Sequence, residues 1–276
     1  MLSCNFLRAS SRRLGAITLL TAILSCGATA EEIKIGGTGN AMGTIRLLGA
    51  AFSKKYPDTK VIVLGGLGSS GAVRAVPQGA IDLGISARVL TEDERKAGLV
   101  EAEYARTVAV FAVSSKSNVV GLSLDQVADI YSGKLIKWPD GTTIRPVLRQ
   151  PGDDTTKQLR GLSPTISQAL TQAAQRPGLP FAVIDQEAAD KIESIPGAFG
   201  VTTLALIKSE DRALKALRVG KVEPTLKNGI SGDYPLVKRF YFVTKDTQSP
   251  TVQRFIDFVK TAAGRDVLVS NGHWIP

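Results

Sequence analysis

Residues 61–86, VIVLGGLGSSGAVRAVPQGAIDLGIS, constrain the fold of this chain more tightly than any other stretch. An apolar run, a glycine-rich turn, a short helical pattern and a second apolar run read as a strand–helix–strand unit. The turn sets Ser69, Ser70 and Gly71 where the helix begins. A helix start leaves its first backbone N–H groups unpaired and carries partial positive charge. Glycine lets an anion approach that backbone, and serine hydroxyls add donors. The segment therefore reads as an anion cradle.

The same alternation runs through the chain. Strands are expected at 33–35, 61–64, 81–85, 107–113, 144–148 and 240–244. Helices are expected at 42–56, 124–131, 155–162, 165–175 and 250–263, with Pro57 ending the first and a Pro/Gly-rich loop at 176–180. Ile45, Leu48 and Phe52 share one helical face, and Val252, Phe255, Ile256 and Val259 share another. Strands that lead through Gly/Ser turns into helices indicate an α/β fold with ligands at strand carboxyl ends. No composition shift marks a linker, which suits lobes built from discontinuous pieces with crossings near Val113 and Arg239. The expected division is 31–112 and 239–276 for lobe 1, and 113–238 for lobe 2.

Residues 1–30 are set apart from the fold. Arg8, Arg12 and Arg13 precede an uncharged run ending in Ala28-Thr29-Ala30, the pattern of a secretory signal peptide, so a periplasmic location is expected. Ile23-Leu24-Ser25-Cys26 is an imperfect lipobox, and Ser11-Arg12-Arg13 a faint twin-arginine pattern. Cys4 and Cys26 both lie there, so the remaining chain has no thiol for a nucleophile, a metal site or a disulfide. The 34 Lys and Arg outnumber 25 Asp and Glu, but they are scattered without interleaved aromatics, so no nucleic-acid partner is expected. Neither a metal nor a cofactor is expected, and the protein is expected to be a monomer.

Several phrases together resemble one family, the periplasmic phosphate-binding proteins of phosphate ABC transporters and their wider relatives. They are GGTGNAMG at 36–43, GLGSSGAVRAV, AIDLGISAR ending at Arg88, LSLDQVADIYSGKLIKWPDG at 122–141, IRPVLRQPGDDTT from Ile144, GAFGV from Gly197 and YPLVKRFYFVT from Tyr234. They occur in the family's order and span nearly all of the chain after residue 30. The resemblance implies a type II periplasmic-binding-protein fold: two α/β lobes, a hinge, and a central cleft that closes on an oxyanion. An inner-membrane ABC permease is the implied partner.

A desolvated oxyanion needs many converging donors, since an unpaired buried charge is very costly. Three helix starts supply N–H groups, after Thr38-Gly39-Asn40, at Ser69-Ser70-Gly71, and at Asp153-Asp154-Thr155, and Arg149 adds a two-pronged cation. The resemblance assigns ligand contacts to Ser69, Arg149 and Thr155, and places Asn40 where the family commonly has threonine. It also places Ala87 where phosphate receptors carry the aspartate that accepts the ligand's proton, and Asp153-Asp154 where they carry Ser-Gly. An ionised carboxylate about 4 Å from an oxyanion costs on the order of 4 kcal/mol at an effective dielectric near 20. Asp153 is thus either an acceptor for a protonated ligand such as monohydrogen phosphate, or an N-cap, or a sign that the pocket takes another ligand. Asp82 is a second candidate acid with a competing structural role. Arg88 is placed to pair across the hinge or with ligand, and His273 to pack. Oxyanion capture without chemistry is the leading expectation. A receptor or sensor for another small ligand and a phosphate-releasing hydrolase are the alternatives.

Overall fold

A computed structural model describes Met1 and residues 31–276. The signal-peptide, lipobox and cysteine readings fall outside the described residues. The chain runs β1 (Glu31–Gly37), α1 (Gly39–Lys55), β2 (Thr59–Leu64), α2 (Gly68–Ala75), β3 (Leu83–Ser86), α3 (Glu92–Lys96) and the long β4 (Leu99–Ser114). It continues through β5 (Gly121–Leu122), α4 (Leu124–Ser132), β6 (Arg145–Pro146), α5 (Asp154–Leu162), α6 (Pro164–Gln175), α7 (Asp185–Ser194), β7 (Ala198–Thr203) and α8 (Leu204–Ser209). Then come β8 (Leu214–Ala216), β9 (Arg218–Val219), α9 (Leu226–Ser231), β10 (Val237–Lys245), α10 (Pro250–Lys260), α11 (Ala262–Ser270) and β11 (His273–Trp274).

These elements make a two-lobed α/β fold around one extended sheet in the order β2-β1-β3-β10-β4-β7-β6. β1 pairs in parallel with β2 and β3, whereas β10 runs antiparallel to both β3 and β4. Two cores result. The first gathers Ile33, Ile35, Ile45, Phe52, Ile85, Phe240 and Phe255, with the Phe52 ring edge-on to Phe255 at 5.3 Å. The second gathers Phe111, Val127, Tyr131, Trp138, Ile166 and Phe199. Only β4 feeds both, and two smaller clusters, around Ile192 and around Val243, flank them. Tyr104 and Ala105 pack in the first core and Val108–Phe111 in the second, so β4 changes lobes over a few residues.

Local chemistry explains where elements differ from their expected bounds. β4 begins at Leu99 rather than 107, because Glu101 and Glu103, part-buried in ion pairs with Arg95 and Arg106, interrupt the apolar run while their backbones pair with β10. The strand expected at 144–148 shrinks to Arg145–Pro146, paired with Ala198 and Phe199; Pro146 has no N–H to extend the ladder. The helix expected at 250–263 is two helices. Thr261 is extended and its hydroxyl accepts the Gly264 N–H, so it starts α11 rather than continuing α10. The α3, α7, α8, α9 and α11 helices and the β5, β7, β8, β9 and β11 strands went unread in the sequence.

Candidate functional site

The carboxyl end of β1, the turn from β2 into the start of α2, the loop before α5 and the start of α7 face one another across a cleft of about 330 Å³. That lies at the small end of ligand pockets. Thr38, Gly39, Ser69, Ser70, Gly71 and Arg74 line it from lobe 1, and Arg149, Asp153, Asp154 and Asp185 from lobe 2. Lys238 of the shared strand β10 closes it. Of the expected site residues, Asn40 and Thr155 do not line this cavity. Asn40 contributes through its backbone N–H instead of its amide, and the Thr155 hydroxyl accepts from Lys238 Nζ at 2.7 Å.

Each of the three expected helix starts carries a carboxylate of this chain. At α1 the Thr38 side chain makes no cap bond to its own helix. Asp185 from lobe 2 does the capping: its Oδ2 accepts the Asn40 N–H at 2.9 Å and the Thr38 hydroxyl at 3.3 Å. At α2, Gly66 and Gly68 take positive φ values of 80° and 64°, which only glycine adopts freely. The turn they make delivers Ser69, whose hydroxyl accepts the Ala87 N–H at 2.9 Å and donates to Asp154 Oδ2 at 2.6 Å. At α5, Asp153 Oδ1 accepts the Thr155 and Thr156 N–H groups at 3.0 and 3.3 Å. The N-cap reading of Asp153 is therefore the observed one.

Arg149 ties this set together. Its Nη1 donates to Asp185 at 2.9 Å and its Nη2 to Asp153 Oδ2 at 2.8 Å. The guanidinium and the two carboxylates are nearly buried, with side-chain exposures of 11, 10 and 18 %. Burial alone would push the Asp185 pKa up. Lys238, Arg149 and the Asn40 N–H together hold it below the ordinary carboxylate value, so Asp185 is charged at neutral pH. Three cations, Arg74, Arg149 and Lys238, thus face three carboxylates around the cleft.

The other candidates sit elsewhere. Asp82 is exposed and accepts the Lys34 N–H of β1 at 2.7 Å, a strand-edge role. Arg88 grips both oxygens of Glu94 at 2.8 Å, pulling the Glu94 pKa down to about 2, and so pairs neither across the hinge nor into the cleft. His273 is fully buried against Phe240 and bonded to the Thr44 hydroxyl at 2.9 Å; burial pushes its pKa down to about 3. Among the described residues no group of three or more His, Cys, Asp and Glu is placed to hold a metal. Likewise, no helix among them is long and apolar enough to cross a membrane.

Sequence reasoning missed Asp185 and Lys238. For Lys238 a signal existed: strand period places it on the inward face with Leu236 and Phe240, where a cation requires a partner. For Asp185 there was none, because it sits 145 residues from Asn40 in sequence.

The phosphate-binding protein PstS of Bacillus subtilis (strain 168) is 24 % identical over 254 residues, covering 89 % of this chain and 80 % of the relative. A Clostridium perfringens structure, described as a phosphate ABC transporter substrate-binding protein with bound phosphate, superposes with a TM-score of 0.75 at 22 % identity. It covers 89 % of this chain and all of that one. An ABC-type phosphate transport receptor from Vibrio cholerae gives 0.62 at 21 % identity over 88 % of this chain and all of the other. At these identities the structural likenesses speak for the fold. The family model described as the PBP superfamily domain matches residues 25–262, and with nearly the whole chain covered, this protein belongs to that family.

Proposed function

We propose that the protein is an exported solute-binding protein that captures a small oxyanion, phosphate, between its lobes and delivers it to an inner-membrane ABC permease without chemistry. One observation carries the reading. Donors at three helix starts and Arg149 bond the three carboxylates that line a single cleft, at 2.6–3.3 Å. A site whose N–H, hydroxyl and guanidinium groups are oriented around carboxylate oxygens suits the oxygens of another oxyanion. The relatives named as phosphate-binding proteins support the choice of ligand.

Thr38, Gly39, Asn40, Ser69, Ser70, Gly71, Arg149, Asp153, Asp154 and Thr155 form the proposed ligand-binding set, with Lys238 added. The lobes divide as 31–112 with 239–276, and 113–238, residues 108–112 of the crossing strand packing with lobe 2. The Asp153 and Asp154 carboxylates beside the ligand favour one that carries its own proton. Monohydrogen phosphate offers a hydroxyl to an aspartate acceptor; sulfate offers none. The balanced charge of the cleft favours a second reading, a receptor for a ligand less negative than phosphate.

A thermal-shift panel of oxyanions on ligand-stripped protein separates these readings. Phosphate at a hundred times its Kd adds about 2.7 kcal/mol of stability, and sulfate at the same concentration adds less. A melting curve unmoved by millimolar phosphate but raised by another solute would replace the phosphate assignment.

A further inference from the structure

The positions that the family resemblance assigns to ligand contacts are met in this chain by its own aspartates. The Asn40 N–H and Arg149 Nη1 meet on Asp185, and the Ser69 hydroxyl on Asp154. Asn40 and Ser69 belong to lobe 1, whereas Asp154 and Asp185 belong to lobe 2, so these bonds also join the lobes. Asp185 is the better placed of the two aspartates. Its Oδ2 accepts the Asn40 N–H in the first turn of a 17-residue helix whose own cap residue offers no cap bond, and its Oδ1 accepts from Arg149. The neighbouring Gln186 locks the same contact, donating through Nε2 to the Gly39 carbonyl at 2.8 Å and to Glu210 at 2.9 Å. Gly39 permits it, since a Cβ there would lie 2.3 Å from Gln186 Oε1 and 2.8 Å from Asp185 Cβ.

We infer that the Asp185 carboxylate is an internal stand-in for the ligand: it fills the anion seat at the start of α1, holds the lobes together before ligand arrives, and must be displaced for an oxyanion to take that seat. The inference rests on the oxyanion reading for what displaces Asp185, but not for the latch itself. A receptor with this device pays for ligand entry by breaking bonds of the same kind that it then remakes. Its apparent affinity is lowered by the fraction of molecules that are latched. With nine molecules in ten latched, removing the carboxylate tightens binding about tenfold. A free anion also meets less competition from other anions, because weak ones cannot displace a carboxylate already held by Arg149 and Asn40.

The test uses small-angle scattering and calorimetric titration on ligand-stripped wild type, Asp185→Ala and Asp185→Asn. The Asn variant keeps size and packing while removing the charge, so loss of folding in the Ala variant does not end the test. Without ligand, wild type should scatter as compactly as it does with phosphate. Both variants should have a larger radius of gyration, contract on adding phosphate, and bind phosphate about tenfold more tightly. Folded variants that stay as compact as wild type without ligand overturn the latch. Phosphate affinity that is unchanged or weaker in the variants overturns displacement, placing the ligand beside Asp185. Variants that open but do not respond to phosphate, alongside an unresponsive wild type, support the latch and overturn the oxyanion reading instead.

Discussion

Arg149→Met tests most directly whether the cleft is held together as an electrostatic unit. The substitution keeps a long apolar stem but removes the one group that bonds both Asp153 and Asp185. Breaking a buried pair by deleting one partner costs about 3–5 kcal/mol, because the carboxylate left behind stays out of water. Both aspartates keep other partners, two N–H groups for Asp153 and the Asn40 N–H with the Thr38 hydroxyl for Asp185. The loss should thus fall near the lower bound, about 3 kcal/mol, or a melting temperature lower by about 6–12 °C for a chain of this size. The pH dependence carries a sign. In wild type the folded pKa of Asp185 is below its unfolded value. Its contribution is therefore complete above about pH 4, near the unfolded value, and is lost as pH falls through the lower folded one. Without Arg149, Lys238 and the Asn40 N–H alone oppose burial, so the folded pKa of Asp185 rises, and the variant's deficit is largest at pH 7 and shrinks toward pH 5. Urea denaturation of wild type, Arg149→Met and Arg149→Met/Asp185→Asn at both pH values reads this out. The double variant should recover about 1 kcal/mol or more over the single one. A single-variant loss under about 1 kcal/mol that is equal at pH 7 and pH 5, with no recovery in the double variant, would refute the unit.

Asp153→Ser keeps a capping oxygen for α5 but removes the carboxylate beside the ligand, so competition titration should show weaker discrimination against sulfate; unchanged selectivity would leave Asp153 as a cap only. Ser69→Ala removes the hydroxyl linking the Ala87 N–H to Asp154, and calorimetry should show phosphate affinity falling about tenfold, the worth of one or two hydrogen bonds. Gly39→Ala puts a methyl into Gln186 and Asp185. It should enlarge the radius of gyration without phosphate, and a variant as compact as wild type would show that α1 and α7 adapt. His273, held near pKa 3 by burial, stays neutral in the folded state while the unfolded chain takes up a proton below about pH 6.5. Its folded pKa is depressed, so stability falls as pH drops through the window from 6.5 toward 3, by about 2 kcal/mol at pH 5. His273→Gln should lack that slope between pH 7 and 5, and equal slopes would reassign the pH dependence to other groups.

What could be read in the sequence was what local chemistry determines. The turn before α2 was legible because Gly66, Gly68 and Ser69 announce a tight turn and a donor within a few residues; the two glycines take positive φ and the Ser69 hydroxyl donates to Asp154. The α/β class followed from the repeated strand–turn–helix order, and the two lobes from the family resemblance. Arg149 was legible as a charge at a strand end before a helix, though not which carboxylates it would hold. The split at Thr261 was hidden because apolar periodicity runs through it, while the break depends on one hydroxyl accepting the Gly264 N–H. Asp185 was hidden for a different reason. An acid in the first turn of α7 reads as an ordinary dipole partner of its own helix. Its carboxylate instead caps α1 of the other lobe, a choice made by the packing of the two lobes and by nothing near it in sequence.

The three aspartates also explain why the acids at 153 and 154 are tolerated where the family has a hydroxyl and a glycine. An added carboxylate beside an anion seat is costly only where it finds no donor of its own. Here Asp153 and Asp154 each bring a use for a donor, α5 N–H groups and Arg149 for one and Ser69 for the other. Asp185 then takes the remaining Arg149 prong together with α1. The result is a cleft with three cations and three carboxylates rather than a positive hole. Each charge a ligand adds to a neutral, half-desolvated site must be met by rearrangement, since two like charges 4 Å apart repel by about 4 kcal/mol at an effective dielectric near 20. Recognition therefore turns on exchange, one negatively charged oxygen for another on the same donors. Because Thr38, Asn40 and Ser69 of one lobe bond Asp185 and Asp154 of the other, exchanging those bonds and moving the lobes are the same event.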